Sequence, residues 1–167
     1  PGAGWIGMDA TSGLLTKAGA GRLVLSGDNT YTGPTSVTGT LNIQHAAALG
    51  TGGTTVASGS ALELQGGISV GAETLSLNGT GVFVGGALRN VSGDNTWNGA
   101  ITLAGATRVN SDSGTLTLAS TVSGNNALTV GGAGNVTILG AHSGTSTLTT
   151  DGAGTLTLAG ANTRTGT

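Results

Sequence analysis

The chain has no cysteine, two prolines and only 2% aromatic residues in 167 positions. Without cysteine there is no disulfide framework, no thiolate zinc site and no thiol nucleophile. Charge is also scarce, with 5 Lys and Arg against 7 Asp and Glu for a net charge of −2. So few cations leave no electrostatic footprint for a nucleic-acid backbone or an anionic membrane surface. Proline is rare and glycine keeps no period of three, which excludes collagen. No apolar run approaches the length of a membrane-crossing helix, and no charged region precedes a short apolar one, so neither a membrane helix nor a signal peptide is expected.

What fills the chain is small and β-favouring. Gly, Thr and Ser make up 77 of the 167 residues, while 37% are hydrophobic, chiefly Val, Leu, Ile and Ala. That apolar content with low net charge argues against disorder. The apolar residues recur at i and i+2 in short bursts bounded by glycine, the pattern of strands with one buried face. The bursts are Leu23/Leu25, Leu41/Ile43, Leu62/Leu64, Leu75/Leu77, Val82/Val84, Ile101/Leu103, Leu116/Leu118, Leu128/Val130, Val136/Ile138 and Leu156/Leu158, with Leu148 alone. No stretch carries a helical apolar stripe, so the chain reads as all-β.

Spacing separates a sandwich from a solenoid. Leu116, Val136 and Leu156 lie 20 apart, as do Leu128 and Leu148, and Leu62 and Val82. From Leu116 onward the intervals alternate 12, 8, 12, 8, so there are two strand columns, each returning with that same period. A fixed period of this size marks a repeat architecture whose units bury their apolar faces by stacking. The expectation is one parallel β-helix over residues 1–167, right-handed by the usual crossover rule, with roughly 20–22 residues per rung, glycine at the corners and threonine outside. About eight rungs would make a rod roughly 40 Å long. A longer period is superposed, because Gly27-Asp28-Asn29-Thr30-Tyr31-Thr32-Gly33 returns at Gly93–Gly99 and again at Gly160–Gly166. Each return comes after close to three rungs, with asparagine at a turn.

The segment from Leu15 through Lys17, Gly19, Gly21, Leu23, Leu25, Gly27, Asn29, Tyr31, Gly33, Thr35 and Val37 to Gly39 and Leu41 resembles the autotransporter-associated β-strand repeat, also called the passenger-associated transport repeat. Its pattern is LxKxGxGxLxLxGxNxYxGxTxVxxGxL. Gly152–Gly166 repeats the middle part with Arg164 at the tyrosine position, and Gly93–Gly99 is a weaker copy with Trp97 there. The resemblance implies a β-helical passenger of a type V secreted protein of a Gram-negative bacterium, displayed extracellularly or secreted. It also implies a C-terminal outer-membrane barrel elsewhere in the full-length protein, with no membrane insertion by this segment. A stalk fragment of a longer passenger is the expected role, with an adhesin module for glycan or host surface, or a fibre self-associating end to end, as alternatives.

Chemistry-bearing residues are few, and no enzyme activity, catalytic residue, cofactor or metal is expected. Gly2-Ala3-Gly4-Trp5-Ile6-Gly7 fits GxGxxG but lacks the strand before and helix after that a dinucleotide site needs. His45 and His142 lie 97 apart, and His142 falls 20 before Asn162, in a turn column. The carboxylates Asp9, Asp28, Glu63, Glu73, Asp94, Asp112 and Asp151 are scattered; Asp94 with Asp112 is the nearest approach to a catalytic pair. Gly131-Gly132-Ala133-Gly134-Asn135 lacks the iterated aspartate of a calcium nonapeptide. Thr115/Thr117, Asn135/Thr137 and Thr155/Thr157 are expected to stack as an outward ladder, a plain strand face or one that orders ice or binds glycan. Tyr31 and Trp97 are expected to pack at corners rather than form a sugar platform. Low charge is itself expected, because a repeated charge would repel its copy one rung away.

Overall fold

Every apolar burst but one forms a strand in the computed structural model, which describes residues 13–145 and 147–166 and the backbone of 5–8. The strands fall on three faces, visited in the same order, with the third face carrying a strand from the third turn onward. The first face holds Leu15–Ala18, Thr35–Val37, Thr54–Val56, Leu75–Gly79, the start of Ile101–Ser111, Val122–Ser123 and His142–Ser143. The second holds Arg22–Leu25, Thr40–Ile43, Ala61–Gln65, Leu88–Ser92, the end of Ile101–Ser111, Leu128–Gly131 and Leu148–Thr150. The third is a separate five-stranded sheet of Ser69–Val70, Asn95–Trp97, Thr115–Leu118, Asn135–Ile138 and Leu156–Leu158.

Neighbours on each face pair in parallel. On the first face Leu15 opposes Thr35, and the column continues through Thr54, Leu75, Ile101, Val122 and His142, in sequence steps of 20, 19, 21, 26, 21 and 20. A bridge from His142 to Asn162 adds a further step of 20. The architecture is therefore a parallel β-helix of seven turns rather than eight, about 35 Å long at the spacing of paired strands. Trp5–Met8 departs from the parallel rule and pairs antiparallel with Leu15–Ala18, so that edge of the first face is covered.

Alternation along each strand builds the core. Leu41, Leu62, Leu88, Val109 and Val130 stack inward on the second face; Leu116 and Val136, with Leu118 and Ile138, do so on the third. These residues join Val37, Val56, Leu77, Leu103 and Trp97 in one continuous cluster running the length of the rod.

The exception is Val82/Val84. Its spacing from Leu62 matches the period by coincidence, because Leu62 pairs with Leu41 and Leu88. Val82–Val84 instead forms a tight turn, with Phe83 and Val84 at positive φ, at the tip of an excursion between the first and second faces, which makes the rung from Leu75 to Ile101 the longest of the seven. Glycines at 79, 81 and 86, all at positive φ, let the chain leave the corner and return.

The long period is corrected in the same way. Asn29 and Asn95 both fall on the third-face side of their rungs, three turns apart, but Asn162 bridges to His142 on the first face. The copy from Leu148 therefore begins on the second face, where the copy from Leu15 begins on the first. The same motif is laid down one face further round.

Stacking leaves no room at the corners. At Gly39 (φ +91) a Cβ would stand 2.0 Å from the Gly19 carbonyl oxygen, whereas at Gly27 nothing lies within 4 Å. Gly39→Ala is expected to lower unfolding stability by about 3 kcal/mol and Gly27→Ala by less than about 0.5 kcal/mol, read from denaturant midpoints. Equal effects at both positions would contradict this account of the corners.

Candidate functional site

The motif residues act as corner clamps. Lys17 points inward and is 1% exposed, yet its ammonium is satisfied by three carbonyls, donating to Ala18 (3.1 Å), Gly19 (2.7 Å) and Thr38 (3.2 Å). Burial pulls its pKa below the ordinary lysine value. Asn29 closes the next corner by donating to the carbonyls of Ala48 (2.8 Å) and Gly27 (3.4 Å). At the same place three turns on, buried Asn95 donates to Ser92 O (2.9 Å) and the Asn90 side chain, and accepts from Ile68 N–H (2.7 Å). The Tyr31 hydroxyl shares a 2.7 Å hydrogen bond with buried Thr35. Tyr31 and Trp97 are both buried, and Trp97 lies within a strand in the core rather than at a corner, so neither offers a ring face to a sugar.

The charges are not scattered. On the second face Arg22 Nη2 meets Glu63 Oε2 at 2.8 Å, Glu63 Oε1 meets Arg89 Nη1 at 3.3 Å, and Arg89 Nη2 meets Asp112 Oδ2 at 2.6 Å. Asn110 bridges onward, donating to Asp112 (2.7 Å) and accepting from Arg108 (3.2 Å), which pairs with Asp151 at 2.6 Å. The file therefore alternates positive and negative along the rod. Like-charge repulsion between rungs is avoided here by alternation as well as by scarcity. Sequence spacing hides this file, because its partners lie one or two rungs apart and rise from different strands.

Beside the file, the excursion leans over the corner and forms a groove of about 410 Å³. Arg22, Thr40, Ala61, Glu63 and Arg89 form one side, and Val82, Phe83, Gly85 and Gly86 the other. Phe83 at its tip is 99% exposed. No apolar pattern singles out this residue; only the four flanking glycines signal a departure from the rung.

The remaining carboxylates do separate jobs. Asp94 accepts from Thr115 N–H at 2.8 Å while Asp112 binds Arg89, so the two do not converge as a catalytic pair. Asn135 repeats the Asp94 role, accepting from Thr155 N–H at 3.0 Å. Asp28 is exposed. Asp9, and Gly2 and Gly4 of the GxGxxG segment, lie outside the described residues. His45 Nδ1 accepts from Ala47 N–H at 3.2 Å in a turn. His142 is buried in a strand rather than at a turn, and burial and Arg164 push its pKa down. Among the described residues no three His, Asp or Glu gather as metal ligands, and no helix is long and apolar enough to cross a membrane.

The threonine ladder stands as spacing predicts. Thr96, Thr117, Thr137 and Thr157 are in register on the third face, with Thr115 opposite Asn135. A second hydroxyl file runs along the first face as Thr16, Ser36, Thr55, Ser76, Thr102, Ser123 and Ser143.

Two charged groups give measurable predictions. Glu63 is buried while Arg22 is half exposed, so Glu63→Gln, which weakens two pairs at once, is expected to cost about 1–2 kcal/mol and Arg22→Gln less than about 1 kcal/mol. Calorimetric midpoints showing the reverse order would contradict the file. Burial raises the Glu73 carboxyl from 4.5 to about 7, so the folded state holds its proton more tightly than the unfolded. Its contribution is fully present below pH 4.5 and is lost as pH rises toward 7. His142, shifted down, gives the opposite slope, so the informative quantity is the wild-type stability minus that of Glu73→Gln. That difference is expected to fall between roughly pH 5 and 7.5 in urea titrations, and a flat difference would refute it.

Comparison with known families places two segments. The model of the passenger-associated-transport-repeat matches residues 15–43 and 148–167, the two stretches whose copies begin on different faces. No curated protein and no solved structure matches the chain.

Proposed function

We propose, from a chain that carries two passenger-associated transport repeats on a parallel β-helix, that this segment is a non-catalytic, extracellular stalk. It supports passenger export and displays a distal functional region of a longer surface protein, whose membrane anchor would be a β-barrel in another part of that protein. The carrying observation is the unbroken parallel pairing from Leu15 to Asn162, in which each rung is hydrogen-bonded to the one before it on the same faces. Such a body extends by one rung at a time, and each rung adds several buried aliphatic side chains at about 1.5–3 kcal/mol each before ordering costs. Folding that can only propagate from a formed rung suits a chain that emerges end first.

Asp94 and Asp112, the nearest approach to a catalytic pair, are engaged with separate partners, which supports a role without catalysis. Placed between a secretion signal and an outer-membrane barrel, the chain is expected to reach the cell surface and resist external protease. Lys17→Met, which empties the three-carbonyl corner, is expected to lower the protease-resistant surface fraction severalfold. Full export and resistance of that variant would sink the link between corner closure and secretion.

A further inference from the structure

The excursion at residues 80–86 makes the longest rung of the helix, and its base is braced by backbone hydrogen bonds. Gly86 N–H donates to Thr80 O and Gly85 N–H to Val82 O, both at 2.9 Å, and Gly81 bridges to Gly86. The rung then resumes register at once, with Ala87 N–H bonded to Arg108 O at 2.8 Å. Above this braced base Phe83 and Val84 hold φ of 50° and 60°. Left-handed backbone costs a bulky or β-branched residue on the order of 1–3 kcal/mol, and no burial offsets it here, since Phe83 is 99% and Val84 60% exposed. Backbone strain that persists at an exposed tip without burial to offset it points to a functional role for that tip.

We propose that the groove between Phe83 and the Arg22–Glu63–Arg89 ion triad is a binding subsite for a neutral pyranose unit of a glycan. A pyranose has an apolar face of C–H groups and a rim of hydroxyls. The exposed Phe83 ring takes the face, and the polar wall takes the rim. Glu63 accepts, and Arg22, which meets Glu63 through Nη2, has Nε and Nη1 as further donors. The volume of about 410 Å³ is within the range of small-ligand sites. Charge selects against other occupants. Glu63 and Asp112 neutralise the two arginines, so the groove has no surplus cation for a phosphate, sulfate or carboxylate. An apolar peptide would strip water from the ion triad and return no hydrogen bonds.

The test is binding of the chain to an array of neutral, sialylated and sulfated oligosaccharides, with titration calorimetry on the neutral hits. At least one neutral oligosaccharide is expected to bind, and Phe83→Ala is expected to weaken it about tenfold with an unchanged thermal midpoint. Arg22→Gln is expected to weaken the same ligand, while the double change Thr117→Lys and Thr157→Lys, on the third face, leaves it unaffected. Absence of neutral binding, binding confined to acidic glycans, indifference to Phe83→Ala, or loss only in the threonine double variant would each overturn the proposal.

Discussion

The structure depends on one constraint: a strand here has no hydrogen-bonding partner within its own rung. Backbone donors and acceptors must be paired when buried, and in the parallel turns from Leu15 onward the partner lies one turn up or down, most often about 20 residues away. Everything else follows from keeping that register. Inward positions must be apolar or internally satisfied, because each faces its own copy in the next rung. Corners must be compact, because any side chain there meets the corner beneath. The inward Lys17 and Asn95 are compatible with this only because they satisfy carbonyls that the turning chain leaves unpaired.

The same constraint organises the surface. In-register stacking places like residues on like, which turns threonine and serine into long hydroxyl files and would turn a repeated charge into a column of repulsion. The charged file on the second face escapes by alternating sign across rungs, and Asn110 carries it past the one step that lacks a direct ion pair. The rod is thus neutral along a line that nevertheless contains six ionised groups, Arg22, Glu63, Arg89, Asp112, Arg108 and Asp151.

Legibility in the sequence divides along these lines. The turns from Leu116 onward are readable because their period is a clean 20, so the columns of Leu116, Val136 and Leu156 and of Leu128 and Leu148 can be assigned by counting. The threonine ladder follows from the same count. Between Leu62 and Leu88 counting fails, because extra residues enter at one corner and an apolar pair at 82 and 84 falls by chance on the period. The ion file is invisible for a different reason: salt-bridge partners in a solenoid are neighbours across rungs, and their sequence separations of 23, 26 and 43 share no common period. The buried tyrosine and tryptophan are readable as packing residues, whereas the exposed phenylalanine is not, since local pattern alone cannot tell an aromatic held inside from one held out.

The shift of the repeat by one face has a geometric meaning. The copies that start at Leu15 and Leu148 are separated by six turns and one further side, so their equivalent residues look out in directions about a third of a revolution apart. The motif is therefore indifferent to azimuth: it specifies how a chain turns corners and leaves open which side of the rod it starts from. Repeats of this kind can be strung at irregular intervals and still join into one continuous helix. Any feature attached to them would then wind around the shaft like a thread on a screw instead of lining up along one edge.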